Sequence, residues 1–395
     1  MNAADAALTM HTPDAGERRA LLVRAATFSL AVFLAARIIV SLIAVLVVGD
    51  VPAGGWEGAP LDSDRAVAAT PGWHNVVDGA FRWDAAWFIE IAEAGYRTER
   101  TAAAYLPGYP LGIRMTQALT PFGAVTSAVI VSGLCLLGAL IALYLLSTVE
   151  RDEELARRTL VLMMAFPTSI VLLAPYSESL FLLGVVLAFL GARRKRWWLA
   201  AVGGSIATLT RSVGIVIIPA LLFEAFSASG PDRRRATVAA TVPLLGPLAY
   251  YGYWFARGDV LAPMTAQTTW ERKLAWPFAT IWRALEVAAS GLSNGRTDLS
   301  TDLLLTVAIL LPLALCFRSL RPSYQTYVVL SLLVPLVYAG ERPLLSMPRF
   351  VLVLFPSFWA LASLLRGRLY VITTIAFTLS SVVVAVKFMN WEFVF

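Results

Sequence analysis

Apolar runs and short charged punctuation alternate along most of the chain, and two longer polar segments interrupt them. The runs cover Leu21 to Val48, Phe122 to Val149, Thr159 to Ala174, Leu180 to Ala192, Trp197 to Leu209 and Val213 to Phe226. They continue at Ala236 to Phe255, Asp302 to Phe317, Gln325 to Ala339, Phe350 to Leu365 and Leu369 to Val386. Several approach or exceed the roughly 18 apolar residues that mark a helix crossing a bilayer. The pattern predicts eleven spans in one all-α polytopic membrane domain over residues 1–395. The strand-like alternation of about 10 residues that a membrane barrel needs is absent. The polar segments, 50–121 and 257–301, read as two long loops, and residues 1–20 as a loose tail without a signal-peptide pattern.

The charged punctuation orients the chain. Arg18, Arg19, Arg24, Arg151, Arg157, Arg158, the basic stretches 193–196 and 233–235, Arg318, Arg321, Arg366 and Arg368 all fall on one side if the spans alternate. Short basic loops face the cytoplasm. The N-terminus is therefore expected inside, and the C-terminus and both long loops outside. Runs between 159 and 226 hold only about 13–16 residues, short for a ~30 Å hydrocarbon layer, so their outer ends are expected in a cavity or a thinned bilayer. Those outer ends are PYSES (Pro175 to Ser179) and TLTRS (Thr208 to Ser212).

Composition agrees with this picture. The chain is 58% hydrophobic and 15% charged, with mean hydropathy +0.71, whereas soluble domains carry about a quarter charged residues. The net charge of +6 reflects the inner basic clusters rather than a nucleic-acid footprint. Cys135 and Cys316 lie in apolar runs without metal-ligand spacing, and His11 and His74 are too scattered for a metal site. No glycine-rich phosphate loop is present, so a soluble nucleotide-binding domain is not expected. Asp62 and Asp64 form an Asp-x-Asp step, which reads better as a solvated turn than as a cation site.

Most of the unusual polar residues then fall on the outer side. FRWDAAWFIEIAEAGY (Phe81 to Tyr96) carries Arg82, Trp83, Asp84, Glu90 and Glu93. Downstream lie Tyr105, Tyr109, Tyr176, Glu178, Arg211, Gln267 and Trp270. The turn GERPLLSMPR adds Glu341, Arg342 and Arg349. Ionisable groups near membrane depth are costly and tend to line functional cavities. Carboxylates with several arginines suit a phosphate-bearing ligand and proton chemistry. Each feature also has a plainer reading. The Phe81 to Tyr96 stretch is expected as an amphipathic helix at the interface, with Trp83 and Trp87 as anchors and Asp84 at its start. Glu90 and Glu93 are expected on a solvated face. Glu178 could cap its helix, Arg211 could simply pair with Glu178, and Arg342 and Arg349 could sit among headgroups. Arg37 could snorkel or pair.

RWDAAWFIEIAEAGY followed by YLPGYPLGIR resembles the first outer-loop signature of the phosphatidylinositol-glycan class V (PIG-V) mannosyltransferases. FPTSIVLLAPYSESLFLL with ARRKRWWLAAVGGSIATLTRSVG resembles the middle of that family, and SMPRF a late outer-loop element. Phe88 stands where a tyrosine is common, and Tyr105-Leu106 where an aromatic pair is common. The resemblance implies a GT-C glycosyltransferase fold, a polyprenyl-phosphate sugar donor and an outward-facing site. It also implies Asp84 as catalytic base, because the Trp-Asp pattern falls on Trp83 and Asp84.

The expected reaction is a single displacement with inversion. Asp84 takes the acceptor hydroxyl proton, and Arg211 with Arg349 or Arg342 holds the donor phosphate. Glu178 orients Arg211 or binds sugar hydroxyls. Trp83, Tyr105, Tyr109, Tyr176, Gln267 and Trp270 complete the substrate-binding set. No cofactor is required, and a divalent metal is possible but not indicated. Expected partners are the lipid-linked donor, a lipid or glycan acceptor and the bilayer, with no nucleic acid. Rival readings are a protein O-mannosyltransferase, a transferase of another lipid-linked sugar, and a transporter, which would be expected to carry midplane charges and matching halves.

Overall fold

The computed structural model describes residues 14–48, 72–96, 100–270, 273–293, 297–339, 343–344, 346–392 and 394. Helices dominate, and each of the eleven apolar runs carries at least one. Four are long and apolar enough to cross a membrane: Ala15–Leu46, Ala124–Glu150, Thr301–Ser319 and Gly367–Met389. A fifth span is possible if the bent pair Glu153–Ala165 and Pro167–Leu173 is taken together. The protein is therefore a multi-pass membrane protein. The remaining runs form helices below that length, so eleven full spans are not established.

Three runs expected to be continuous are broken, in each case beside a proline. The Thr159 to Ala174 run bends by 78° at Phe166 and Pro167. Phe166 takes an extended ψ of 140°, as a residue preceding proline prefers, and Pro167 has no N–H to give to the helix ladder. The Ala236 to Phe255 run passes through a 3-10 turn at Val242–Leu244, which contains Pro243. The Phe350 to Leu365 run divides into Met347–Leu352 and Phe355–Leu364, with Pro356 in the first turn of the second helix.

The described part of the 50–121 segment is substantially helical. It contains Asn75–Asp78, Ala85–Ala94 and Gly108–Leu119. The Ala85–Ala94 helix is covered by protein rather than presenting an apolar stripe to lipid. Every residue from Ala85 to Ala92 is buried, including Glu90. Trp87 is not a headgroup anchor either, since it stacks on Tyr105 with ring centroids 5.8 Å apart. Rings from Tyr105 and Tyr109 close over the other side of the helix, edge-on to Phe88 at 5.2 and 5.0 Å. The amphipathic spacing was compatible with a lipid interface, but protein covers both stripes. Arg37 meets no carboxylate among the described residues. It donates to the backbone carbonyls of Val76 at 2.8 Å and Leu173 at 3.4 Å.

Two polar clusters lie at opposite ends of the Glu178–Arg193 helix, whose 16 residues separate its ends by roughly 20 Å. At the Arg193 end, Glu150 accepts from Arg193, from Arg321 at 3.3 Å and from the Tyr324 hydroxyl at 2.9 Å. Nearby, Arg24 binds Glu153 at 2.8 Å and Arg151 donates to Ser363 at 3.2 Å. These are residues that the charge pattern assigned to one side. The Glu178 end holds the second cluster.

Close packing fixes that second end. The Glu178–Arg193 and Trp197–Thr210 helices form an antiparallel pair, and small residues allow their backbones to touch. A Cβ at Gly203 would lie 2.4 Å from the Ala188 nitrogen, and one at Gly191 would lie 2.4 Å from the Ala200 nitrogen. The hairpin therefore delivers Glu178, at the start of one helix, beside Arg211, at the end of the other. A two-residue antiparallel ladder, Lys273 with Ala339 and Leu274 with Tyr338, joins the second long loop to the end of the Gln325 to Ala339 run. This pairing was not anticipated from the sequence.

Candidate active site

Four charged side chains from four distant segments form one continuous network. Arg349 lies in the short helix Met347–Leu352, whose N-cap Ser346 adopts φ 65°. Its Nη1 donates to Asp84 Oδ2 at 2.9 Å, while Nε and Nη2 donate to Glu178 Oε1 at 3.0 and 2.7 Å. Arg211 Nη1 reaches the same Glu178 oxygen at 2.7 Å and Ser177 Oγ at 3.4 Å. Glu178 Oε1 thus accepts two hydrogen bonds from Arg349 and forms an ion pair with Arg211, whereas its Oε2 is buried with no partner among the described residues.

The network is graded in exposure. The Glu178 side chain is fully buried and that of Arg349 is 9% exposed; Arg211 is 14% exposed and Asp84 28%. Asp84 is therefore the carboxylate that a ligand can reach. The Glu178 pairing also answers the cost of burying a lone carboxylate, since two guanidinium groups meet it directly. Burial works against the charge of Arg349. The Glu178 and Asp84 carboxylates outweigh that effect and raise its pKa, so Arg349 remains a cation.

Asp84 is the N-cap of Ala85–Ala94 but makes no side-chain capping bond. Its second oxygen instead accepts the Tyr105 hydroxyl at 3.0 Å. Desolvation of that hydroxyl, reinforced by the adjacent Asp84 charge, raises the Tyr105 pKa well above its usual value and keeps it a donor. The preceding residue, Trp83, holds the left-handed φ of 53°, which costs on the order of 1–3 kcal/mol in a residue other than glycine. Across this kink, Asp84 joins the network while Arg82 turns to a different set of partners. Arg82 donates to the Met389 carbonyl at 2.8 Å and its guanidinium lies 5.1 Å from the Trp391 ring. Trp83 meets Trp391 edge-on at 5.3 Å.

Of the sequence candidates, Asp84, Tyr105, Glu178, Arg211 and Arg349 meet directly. Tyr176 joins them: it is fully buried, its ring lies 4.8 Å from the Arg349 guanidinium, and its hydroxyl donates to the Arg82 carbonyl at 3.1 Å. Trp83 flanks the site. Tyr109 does not reach it. Its buried hydroxyl donates to the Ala128 carbonyl at 2.9 Å and lies 2.7 Å from Ser132 Oγ, a packing role between helices. Gln267 lies in the 3-10 turn Ala266–Trp270, which packs against Arg100–Ala104. The Trp270 side chain and Arg342, Glu341, Asp62 and Asp64 fall outside the described residues.

Sequence reasoning missed three contributors. Trp391 follows the last long helix and returns to the Arg82–Trp83 corner; its predicted position on the outer side was the available signal. Phe350 places its ring 5.2 Å from the Arg211 guanidinium. Ser177 sat within PYSES without a distinguishing pattern. Among the described residues, no group of three or more His, Cys, Asp or Glu side chains is arranged to hold a metal.

Comparison with known proteins gives this network a family setting. Residues 30–229 match the family model described as Mannosyltransferase (PIG-V). That segment contains Asp84, Glu178 and Arg211, whereas Arg349 and the SMPRF element lie beyond it. GPI alpha-1,6-mannosyltransferase 2 of Mus musculus is 32% identical over 161 residues, covering 37% of this chain and 32% of the relative. The Cricetulus griseus protein of that name matches to the same extent. The similarity thus spans about a third of those relatives' length. Among solved structures, an oligosaccharyltransferase from Archaeoglobus fulgidus aligns with TM-score 0.46 and 11% identity, covering 91% of this chain and 53% of that one. With half of its length matched by the family model, the chain belongs to the Mannosyltransferase (PIG-V) family.

Proposed function

We propose that the protein is a GT-C mannosyltransferase that moves mannose from a polyprenyl-phosphate donor to a hydroxyl of a lipid or glycan acceptor, on the extracytoplasmic face. One observation carries this reading: a reachable carboxylate, Asp84, is hydrogen-bonded to Arg349, whose neighbour Arg211 shares the same buried counter-ion, Glu178. A base and two phosphate-binding cations are thereby collected in one site. Family membership supports mannose as the sugar.

The chemistry is a single displacement. The acceptor oxygen attacks the anomeric carbon, and the bond from that carbon to the phosphate oxygen breaks. Asp84 accepts the hydroxyl proton as the new bond forms, a role for which a carboxylate need not be a strong base. The polyprenyl phosphate departs as a stable anion and needs no proton. Arg349 and Arg211 meet the charge that develops on it, and planar guanidinium groups can do so through paired N–H bonds.

At rest the two arginines are balanced by two carboxylates. An arriving phosphate competes with them, and Asp84 is the more exposed competitor. Donor binding would draw an Arg349 N–H from Asp84 Oδ2 and release that oxygen for the acceptor proton. Glu178, buried and paired with both, would keep the two guanidinium groups in place. Tyr105 would retain the orientation of Asp84 through its other oxygen. The scheme uses no metal.

The test is transfer by the purified full-length protein from polyprenyl-phosphate mannose, with polyprenyl-phosphate arabinose and a nucleotide-linked mannose as alternative donors. Membrane lipid and glycan fractions, and a serine/threonine-rich polypeptide, serve as acceptors. Label moving from the mannose lipid into lipid or glycan is the expected result. Label moving only into the polypeptide, or only from another donor, would replace the proposed substrate. No transfer from any lipid-linked sugar would overturn the reading.

A further inference from the structure

The end of the hairpin remote from Asp84 carries a cavity of about 890 Å³, between the beginnings of the Trp197–Thr210 and Pro231–Thr241 helices. Its walls divide into two zones. Lys195, Arg196, Arg234 and Arg235 form a cationic zone, and Trp197 and Trp198 lead an apolar one. Asp232 meets Lys195 at 3.9 Å and Arg235 at 4.0 Å. Arg196 and Arg234 make no ion pair among the described residues. The cavity therefore has a surplus of positive charge that no carboxylate on its walls balances.

The helix geometry adds to this charge. Both helices begin at this cavity, and neither N-cap, Arg196 or Gly230, supplies a side-chain bond to the first turn. Uncapped helix starts present backbone N–H groups and a favourable dipole to an anion.

The position selects the anion's source. Trp198 is 66% exposed, and both helices continue from the cavity into apolar sequence. The charge pattern places this level at the inner membrane–water interface, where tryptophan is favoured. We propose that this cavity binds the phosphate headgroup of an anionic phospholipid of the inner leaflet, with its acyl chains lying along the apolar wall. Basic pockets between helices on the cytoplasmic side suit such headgroups. The site is separate from the Asp84 network and does not depend on the transferase reading.

Arg233 supplies a charge-matched control, because it is exposed on the same helix but does not line the cavity. The full-length protein would be purified from mixed phosphatidylglycerol–phosphatidylcholine vesicles, and retained lipid counted by native mass spectrometry. Wild type and Arg233→Gln are expected to retain phosphatidylglycerol in preference to phosphatidylcholine. Arg234→Gln and Arg196→Gln should each lower that retention, on the order of fivefold. Inorganic phosphate at millimolar concentration should not displace the lipid. Equal retention of the two lipids, equal loss in Arg233→Gln and Arg234→Gln, or displacement by inorganic phosphate would overturn the proposal. Arg234 is itself exposed, so its variant decides the matter even if Arg196→Gln fails to fold.

Discussion

Arg349 and Asp84 stand 265 residues apart in the chain and meet at 2.9 Å through Nη1 and Oδ2. Neither residue explains the site alone. Arg349 holds the reachable carboxylate with one nitrogen and the fully buried Glu178 with two others. The segment that carries Asp84 is thereby tied to the helix hairpin that carries Glu178 and Arg211.

Glu178→Gln should be the most destabilising of the site substitutions. It leaves Arg349 and Arg211 without the counter-ion that both share in a buried position. Removing one partner of a buried ion pair typically costs about 3–5 kcal/mol. The check is thermal unfolding of purified protein in detergent. An unfolding temperature unchanged from wild type would show that the guanidinium groups do not depend on Glu178.

Arg211→Lys separates pairing from phosphate recognition. Lysine retains a positive charge for Glu178 but loses the planar fork. The fold should survive, while donor KM rises by roughly tenfold and kcat falls less. Kinetics at fixed acceptor, with varied polyprenyl-phosphate mannose, measure the split. An unchanged donor KM would restrict Arg211 to a structural partnership with Glu178.

Tyr105→Phe removes one hydrogen bond to Asp84 and keeps the ring that stacks on Trp87. A bond to a charged group is worth about 1.5–3 kcal/mol, so kcat should fall by tenfold or more with little change in donor KM. The raised Tyr105 pKa has a definite sign. Its contribution to stability is full below the unfolded tyrosine value near 10 and is lost only as pH rises through the higher folded value. Activity limited by this hydroxyl should therefore not decline between pH 8 and 10. A fall across that window in wild type that Tyr105→Phe abolishes would show the hydroxyl titrating early.

Much of this site was legible in the sequence because membrane topology sorts charge. Once the basic clusters are assigned to one side, Asp84, Glu178, Arg211 and Arg349 are left on the other, which makes them candidates for one site. What the sequence could not convey was pairing. Helical spacing in FRWDAAWFIEIAEAGY is the same whether lipid, water or protein covers a stripe, so Trp87 reads as an interfacial anchor and Glu90 as solvated although both are buried. Tyr109 looked like a substrate contact because it is polar-tipped and outer. Its bond to Ser132 depends on the docking of Gly108–Leu119 against Ala124–Glu150, which no local pattern records. The kinked runs read as continuous, because proline alone does not fix a break: Pro167, Pro243 and Pro356 lie at breaks, whereas Pro312 and Pro335 lie inside helices.

Glu150→Gln serves as a control at the opposite end of the hairpin. It weakens contacts to Arg193, Arg321 and Tyr324, roughly 20 Å from the Asp84 network. Stability should fall while donor KM remains within about twofold of wild type, measured on protein verified as folded by size exclusion. A large donor-specific KM change would mean that the two clusters are coupled through the helix.

The central claim, that Asp84 accepts the acceptor proton, is tested most directly by Asp84→Asn in the purified full-length protein. The measurement is label transfer from polyprenyl-phosphate mannose to the membrane acceptor fraction, alongside donor binding and unfolding temperature. Asparagine keeps the size of the side chain and an acceptor oxygen for Tyr105, but cannot take the proton. Transfer should fall by about 10²–10⁴, with the protein folded and still binding donor. Turnover near the wild-type rate would contradict the assignment of Asp84 as the base.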